Sequence, residues 1–308
     1  MNIKKLSWTA LLSSSLLLGA CSMSPNGDDS SSSDKKSSSD ETKIGMSVST
    51  LNNPFFVTLS DGAKDEAKKE KVDLTVVDAQ DNASKQASDV EDLIQQNVDL
   101  IIINPTDSEA IASAVEAANA ANIPVITVDR ASEGGEVVSH IASDNEAGGK
   151  MAAEYLEEVI GKGAKVAQLE GVAGSSAATE RGAGFESIAK KDFDIVASQT
   201  ANFNRSEGLT VMENILQSNS DIEGVFAQND EMALGAIEAI EASGKDIKVV
   251  GFDATDDGVK AVEDGKMIAT IAQKPTEIGE TAIEVAVKSL NGEKVEKNIP
   301  VDLELVKK

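Results

Sequence analysis

The sequence is poor in the residues on which many protein chemistries depend. Its 308 residues include one Cys, one His, one Trp and one Tyr. A single cysteine cannot build a disulfide framework, and one Cys with one His cannot assemble a zinc site of the usual Cys/His type. Basic residues are outnumbered too: 28 Lys and Arg face 53 Asp and Glu, a formal charge of -25. A surface of that sign repels phosphate backbones, which argues against a nucleic-acid partner. Only three residues are arginine (130, 181 and 205), and seven phenylalanines (55, 56, 185, 193, 203, 226 and 252) make up most of the aromatic content.

What is present begins with an address. Lys4 and Lys5 precede an apolar stretch over residues 6–18 that serines interrupt, too short and polar for a membrane span but suited to a signal-peptide core. It ends in Leu18-Gly19-Ala20-Cys21, which resembles a bacterial lipoprotein lipobox. Residues 1–20 are therefore expected to be a signal peptide and Cys21 the lipidation site. The following stretch, through residue 42, is rich in Ser and Asp and too poor in apolar side chains to offset the entropy of ordering. It reads as a disordered tether that holds the folded part about 25 Å from the anchor.

From Lys43 onward, short Val/Ile-rich runs alternate with longer stretches of helical period. Residues 100–103, 125–128 and 225–227 are such runs; Ala83, Ala87, Val90, Leu93 and Ile94 share one helical face, as do Ile111, Val115 and Ala118. Asn104-Pro105-Thr106-Asp107 and Ser143-Asp144 are expected to begin helices. Repeated strand–helix units imply right-handed crossovers and parallel sheets, hence an α/β fold. About ten strand candidates and some 266 residues of folded chain suit two lobes better than one. The break is expected near Ala142-Ser143-Asp144, after a strand over residues 137–141.

In doubly wound sheets, ligands bind beyond the carboxyl ends of the strands. The residues that follow the apolar runs form a coherent set: Asn52, Asn53, Phe55, Phe56, Asn104, Asp129 and Arg130 in the first half. In the second half come Arg181 at an expected helix start, Asn202, Phe203, Asn204, Arg205, Asn229, Asp230, Phe252, Asp253 and Gln273. Amides, carboxylates and a guanidinium interleaved with aromatic rings suit a neutral polyhydroxylated ligand. Its hydroxyls can donate to Asp or Asn and accept from Arg or Asn, while its C–H faces pack on Phe. Asp129 and Asp253 would repel an anion. Taken singly, each Asn or Asp also reads as a turn or helix cap.

Five segments make the pattern specific: Ser49-Thr50-Leu51-Asn52-Asn53-Pro54-Phe55-Phe56, Ile103-Asn104-Pro105-Thr106-Asp107-Ser108, Ile126-Thr127-Val128-Asp129-Arg130, Phe226-Ala227-Gln228-Asn229-Asp230-Glu231-Met232-Ala233-Leu234-Gly235 and Ala269-Thr270-Ile271-Ala272-Gln273. They resemble the bacterial D-ribose-binding family of periplasmic sugar-binding proteins, over a similarity that runs from about Lys43 to the C-terminus. The resemblance implies two doubly wound parallel-sheet lobes joined by a three-crossing hinge (periplasmic-binding-protein type I). One lobe would comprise residues 43–142 with 274–302, the other 143–273 with 303–308. The ligand contacts it implies are Asn53, Phe55, Phe56, Asn104, Asp129 and Arg130 from the first lobe. The second would add Arg181, Phe203, Asn229, Phe252 and Asp253, with Gln273 at a hinge crossing. Asn202 and Asn204 around Phe203, and Ala254 after Asp253, depart from the more acidic and Gly-like neighbours the resemblance leads one to expect. The last helix, over about residues 276–290, is expected to return to the first lobe.

The function implied is capture rather than catalysis. An extracytoplasmic binding protein would close on D-ribose and deliver it to an ABC permease with its ATPase subunits. It would work as a monomer held by its lipid at the outer face of the bacterial cytoplasmic membrane, with a chemoreceptor as a further partner and no cofactor or metal. The same fold could instead take another pentose, a hexose or a sugar-like quorum signal. A repressor with a sugar-sensing core would need a helix-turn-helix where residues 1–42 offer a leader and tether. An enzyme finds little support. His140 lies in an apolar run and reads as a structural strand residue, and Gly171-Val172-Ala173-Gly174-Ser175-Ser176 lacks the lysine of a phosphate-binding loop. The acidic run Asp253-Ala254-Thr255-Asp256-Asp257 lacks EF-hand spacing.

Overall fold

Strands and helices alternate along residues 42–308, the part of the chain that this computed structural model describes. The expected signal peptide, Cys21 and all but the last residue of the expected tether lie outside the described residues. The first sheet holds β1 (Lys43–Val48), β2 (Asp73–Asp78), β3 (Leu100–Ile103), β4 (Val125–Val128) and β5 (Ser139–Ser143). The second holds β6 (Lys165–Glu170), β7 (Asp194–Thr200), β8 (Gly224–Ala227), β9 (Lys248–Asp253) and β10 (Ala269–Ala272). Two short strands close the edges, β11 (Asn298–Val301) on the first sheet and β12 (Glu304–Lys307) on the second. The strand orders are β2-β1-β3-β4-β5-β11 and β7-β6-β8-β9-β10-β12. Every pairing is parallel except β12 on β10. The parallel lobes inferred from the sequence thus carry one antiparallel edge.

The central strands β3, β4 and β8 are buried at every position, because helices cover both faces and leave no solvated side to alternate toward. Ile102 at the centre of the first sheet is fully buried, and its truncation to alanine should cost about 2–5 kcal/mol. The helices are α1 (Pro54–Glu70), α2 (Ala83–Gln95), α3 (Ala112–Ala120), α4 (Asn145–Ile160), α5 (Ser176–Asp192), α6 (Arg205–Ser218), α7 (Asp230–Ser243), α8 (Asp256–Glu263) and α9 (Pro275–Leu290).

Their starts follow local chemistry. Asn53 Oδ1 accepts from Phe55 N–H with Pro54 at the first helical position of α1, and Asn204, Asn229 and Thr255 cap α6, α7 and α8 in the same way. Asn104 to Asp107 do not cap α3 as expected. Asp107 Oδ1 accepts from the amides of Glu109 and Ala110 in a separate turn, and α3 begins later, without a side-chain cap. Arg181 lies inside α5 rather than at its start, because Ser175 is the cap.

The chain passes between the sheets three times: from β5 into α4, which packs with α5 over the second sheet; from β10 into α9, which returns to α1 and the first sheet; and from β11 into β12. The α1–α9 contact is close enough that a Cβ on Gly279 would stand 2.1 Å from the Leu59 carbonyl oxygen. Both sheets reverse their strand order beside the first strand of their half, so each presents a topological switch point at its carboxyl edge. The sequence supports about ten strands where the described residues hold twelve. The short, polar β11 and β12, with Pro300 in the former, lack the apolar run that marks the others.

Candidate ligand-binding cleft

The carboxyl edges of the two sheets face each other across a narrow cavity. Asn53, Phe55, Phe56, Asp129 and Arg130 line it from the first sheet's side; Ala177, Arg181, Phe203, Asn229, Asp253 and Gln273 complete it. Ten of the twelve residues singled out in the sequence meet there. The other two stand behind the wall. Asn104, fully buried, donates through Nδ2 to Asp129 Oδ2 at 3.3 Å and accepts from the Ser49 amide, so it holds Asp129. Phe252 lies 3.9 Å below the Arg181 guanidinium carbon and supports its plane.

The two arginines are buried and individually fixed. Arg130 lies between the Phe56 and Phe203 rings, 5.1 and 5.2 Å from their centroids, and donates through Nη1 to the Pro105 carbonyl. Burial pulls its pKa down, with Asp129 opposing and Arg181 reinforcing the shift. Arg181 donates from Nε to Asn145 Oδ1 and from Nη1 to the Gln228 carbonyl, both at 2.8 Å. Its Nη1 stands 3.7 Å from Asp253 Oδ1 and its Nη2 reaches across the cleft to 4.0 Å from Asp129 Oδ1. Burial pushes the Asp253 carboxyl up to about 8; nearby Arg181 pulls it down and Asp230 pushes it further up. Gln273, on the crossing that leaves β10, donates to Asp253 Oδ1 at 2.8 Å.

Three buried atoms of the lining have no hydrogen-bond partner in the protein: Asp129 Oδ1, Arg130 Nε and Gln273 Oε1. They combine two acceptors with one donor, the complement of adjacent hydroxyl groups. Backbone strain concentrates in the same place. Asp129 (φ 61°), Phe203 (φ 56°), Asp253 (φ 113°) and Ala254 (φ 52°) all occupy positive φ without being glycine. A Cβ at Gly171 would lie 2.0 Å from Phe203 Cζ, so the ring needs glycine there. Of the remaining strand-end residues, Arg205 points away from this cavity into a pair with Glu231 and a second carboxylate, Asp257.

Sequence reasoning missed Ala177, for which no motif signals, and the hydrogen bonds that join the lobes through Ser108, Ala131, Gly174 and Ser176. Ser108 N–H donates to the Gly174 carbonyl, Ser108 Oγ accepts from Ser176 N–H, and Ser176 Oγ accepts from Ala131 N–H. The Gly171–Ser176 segment therefore serves as a contact between lobes and beside the cleft. His140 is held by Thr127 Oγ1 at 2.9 Å within the first sheet, and burial lowers its pKa. Among the described residues, no group of His, Cys, Asp and Glu has the geometry of a metal site.

Residues 44–294 match the family described as the periplasmic binding protein domain. The ribose import binding protein RbsB of Bacillus subtilis (strain 168) is 54% identical over 303 residues, covering 98% of this chain and 99% of that protein. The protein of the same name from Escherichia coli (strain K12) is 52% identical over the full length of both. Among solved structures, an ABC transporter solute binding protein from Bacillus halodurans with bound myo-inositol superposes with a TM-score of 0.83. It is 35% identical, over 88% of this chain and 96% of that one. With two switch-point sheets, three crossings and a cleft between them, the chain belongs to the periplasmic binding protein family of ABC-importer substrate-binding proteins.

Proposed function

We propose that this protein captures D-ribose between its two lobes and delivers it to an ABC importer, performing no chemistry on the sugar. The observation that carries the reading is the narrow cavity in which Asp129 Oδ1, Arg130 Nε and Gln273 Oε1, none with a hydrogen-bond partner in the protein, stand among the Phe55, Phe56 and Phe203 rings. A monosaccharide supplies hydroxyls for those atoms and C–H faces for the rings. The choice of ribose is supported by near-full-length identities of 51–54% to ribose import binding proteins. More distant relatives include a xylitol-binding protein and a D-apiose import binding protein at 32% and 34% identity, so another pentose or a hexose is the competing ligand.

In this reading the first lobe, residues 43–142 with 274–302, contributes Asn53, Phe55, Phe56, Asp129 and Arg130, and Asn104 orients Asp129. The second, residues 143–273 with 303–308, contributes Arg181, Phe203, Asn229 and Asp253, with Phe252 beneath Arg181 and Gln273 at the hinge. A sugar that touches both lobes stabilises the closed form by its differential affinity for it, and the importer reads that closed form. Lipidation at Cys21 would keep the receptor at the outer face of the membrane, a reading supported by Leu18-Gly19-Ala20-Cys21 and the polar stretch that follows. Calorimetric titration of the purified protein with ribose against a panel of pentoses and hexoses tests the ligand. Tighter binding of any other sugar would replace ribose. Incorporation of a radiolabelled fatty acid, lost on Cys21→Ala, tests the anchor.

A further inference from the structure

We propose that Asp230 is a positioning residue for the sugar: its buried carboxylate clamps the strained Asp253–Ala254 turn and so aims the Asp253 carboxylate into the cleft, an inference that rests on the cleft being the sugar site. Asp230 does not line the cavity; it is the first residue of α7, fully buried beneath the turn. Three donors converge on it. Thr255 N–H and Oγ1 donate to Oδ2 at 2.8 and 3.2 Å, and Thr270 Oγ1 donates to Oδ1 at 2.7 Å.

The direction of the two hydroxyl bonds is fixed by what the hydroxyls do on their other side. Thr270 Oγ1 accepts from Ala254 N–H and Thr255 Oγ1 accepts from Gly258 N–H, so each hydroxyl proton is directed to Asp230. Position 230 must therefore supply acceptors only, as a carboxylate does. Burial pushes the Asp230 pKa up to about 7, while the Thr270 and Thr255 bonds pull it down. The N-termini of α7 and α8 meet beside it, and their dipoles favour negative charge there. The surroundings are shaped to the group: a Cβ at Gly251 would lie 2.3 Å from Oδ1, and one at Gly258 would lie 2.0 Å from Oδ2.

Through this hub, Asp230 holds the backbone amides of Ala254 and Thr255 immediately after Asp253. Asp253 and Ala254 both have positive φ, a conformation that non-glycine residues keep only when their surroundings impose it. Without the clamp the turn would relax toward ordinary φ, and Asp253 would leave its place opposite Arg181 and Gln273. Glycine at position 254 would accept the observed φ of 52° without strain, which provides a way to separate positioning from bulk stability.

The test compares wild type, Asp230→Asn and Asp230→Asn/Ala254→Gly by calorimetric titration with D-ribose and by hydrogen exchange of the ribose-free protein. Asparagine keeps the volume but turns an N–H2 group toward a donor. Ribose affinity should fall by about tenfold or more, and amide protection should drop within residues 253–258 while the strands of both sheets stay as protected as in wild type. Adding Ala254→Gly should bring affinity back to within about threefold of wild type, which a merely structural defect would not allow. Wild-type affinity and protection in Asp230→Asn, or weakened binding that glycine does not restore, would overturn the proposal. If Asp230→Asn does not fold, Thr270→Val removes the bridge between Ala254 and Asp230 at nearly constant shape. It should weaken ribose binding, and unchanged affinity in that variant refutes the clamp. Failure of the wild-type protein itself to bind ribose would instead sink the ligand assignment, with exchange over residues 253–258 still deciding the role of Asp230.

Discussion

Ser176 at the start of α5 accepts a hydrogen bond from the Ala131 amide of the opposite lobe, 2.9 Å away, and neither residue lines the cleft cavity. Together with the two bonds made by Ser108, it ties the two lobes to each other. Bonds of this kind favour the arrangement in which the lobes meet and do not discriminate among sugars.

Removing them should therefore raise the dissociation rate. Each bond contributes about 0.5–1.5 kcal/mol net, so Ser108→Ala and Ser176→Ala should each speed ribose release by roughly 2- to 10-fold. Selectivity over a sugar panel should stay as in wild type. Stopped-flow release rates check this; unchanged rates in both variants would show that the lobes close without help from these serines.

Arg130 has a different role. Its guanidinium faces the cavity between two rings while its Nη1 is held by a first-lobe carbonyl, so its loss removes a charged donor and the filling between Phe56 and Phe203. Arg130→Ala should keep the fold, by circular dichroism, and weaken ribose binding by about 1.5–3 kcal/mol or more, measured by calorimetry. Full retention of affinity would remove Arg130 from the site.

The two-lobed α/β fold was legible because strands buried on both faces, such as β3 with its Leu100-Ile101-Ile102-Ile103, write their burial directly into the sequence. The edge strands β11 and β12 were not, since half-exposed strands of mixed polarity resemble loops. The candidate site was legible to the extent that it sits at strand ends and uses scarce residue types. Three of the seven phenylalanines and two of the three arginines line the cavity, whereas Phe185, Phe193 and Phe226 are core. Sequence order could not tell a lining residue from its support. Asn104 and Phe252 carry the right chemistry at the right edge, and only packing shows that each acts through a neighbour. The inter-lobe bonds of Ser108 and Ser176 were beyond reach for the same reason, because they join residues between 45 and 68 positions apart through tertiary approach alone.

Gly171 should be sensitive to the smallest possible substitution. Its missing side chain is the space that the Phe203 ring occupies, and Phe203 is itself held at positive φ, so the ring cannot retreat cheaply. Gly171→Ala should displace the ring from Arg130 and lower ribose affinity by at least about tenfold, in line with the roughly 1–3 kcal/mol expected of overpacking. The test is calorimetry combined with a structure of the variant; wild-type affinity would show that the ring does not contribute to the sugar platform.

Buried Asp253 predicts how stability depends on pH. In the folded protein burial lifts it to about 8, against a reference value of 3.8. Between those values the folded state binds a proton that the unfolded chain has released. The group therefore makes the ligand-free protein less stable as pH rises from about 4 toward its folded pKa, with a limiting slope of about 1.4 kcal/mol per pH unit. An asparagine at position 253 cannot titrate. Asp253→Asn should accordingly lose about 2–3 kcal/mol less stability than wild type between about pH 5 and pH 7. Denaturant unfolding at the two pH values measures the difference, and parallel pH profiles for variant and wild type would mean that Asp253 is ionised throughout. Arg181 gives an opposite-signed control. Its removal deletes the nearest positive charge, which should push the Asp253 pKa higher and extend the falling limb of the wild-type profile to more alkaline pH.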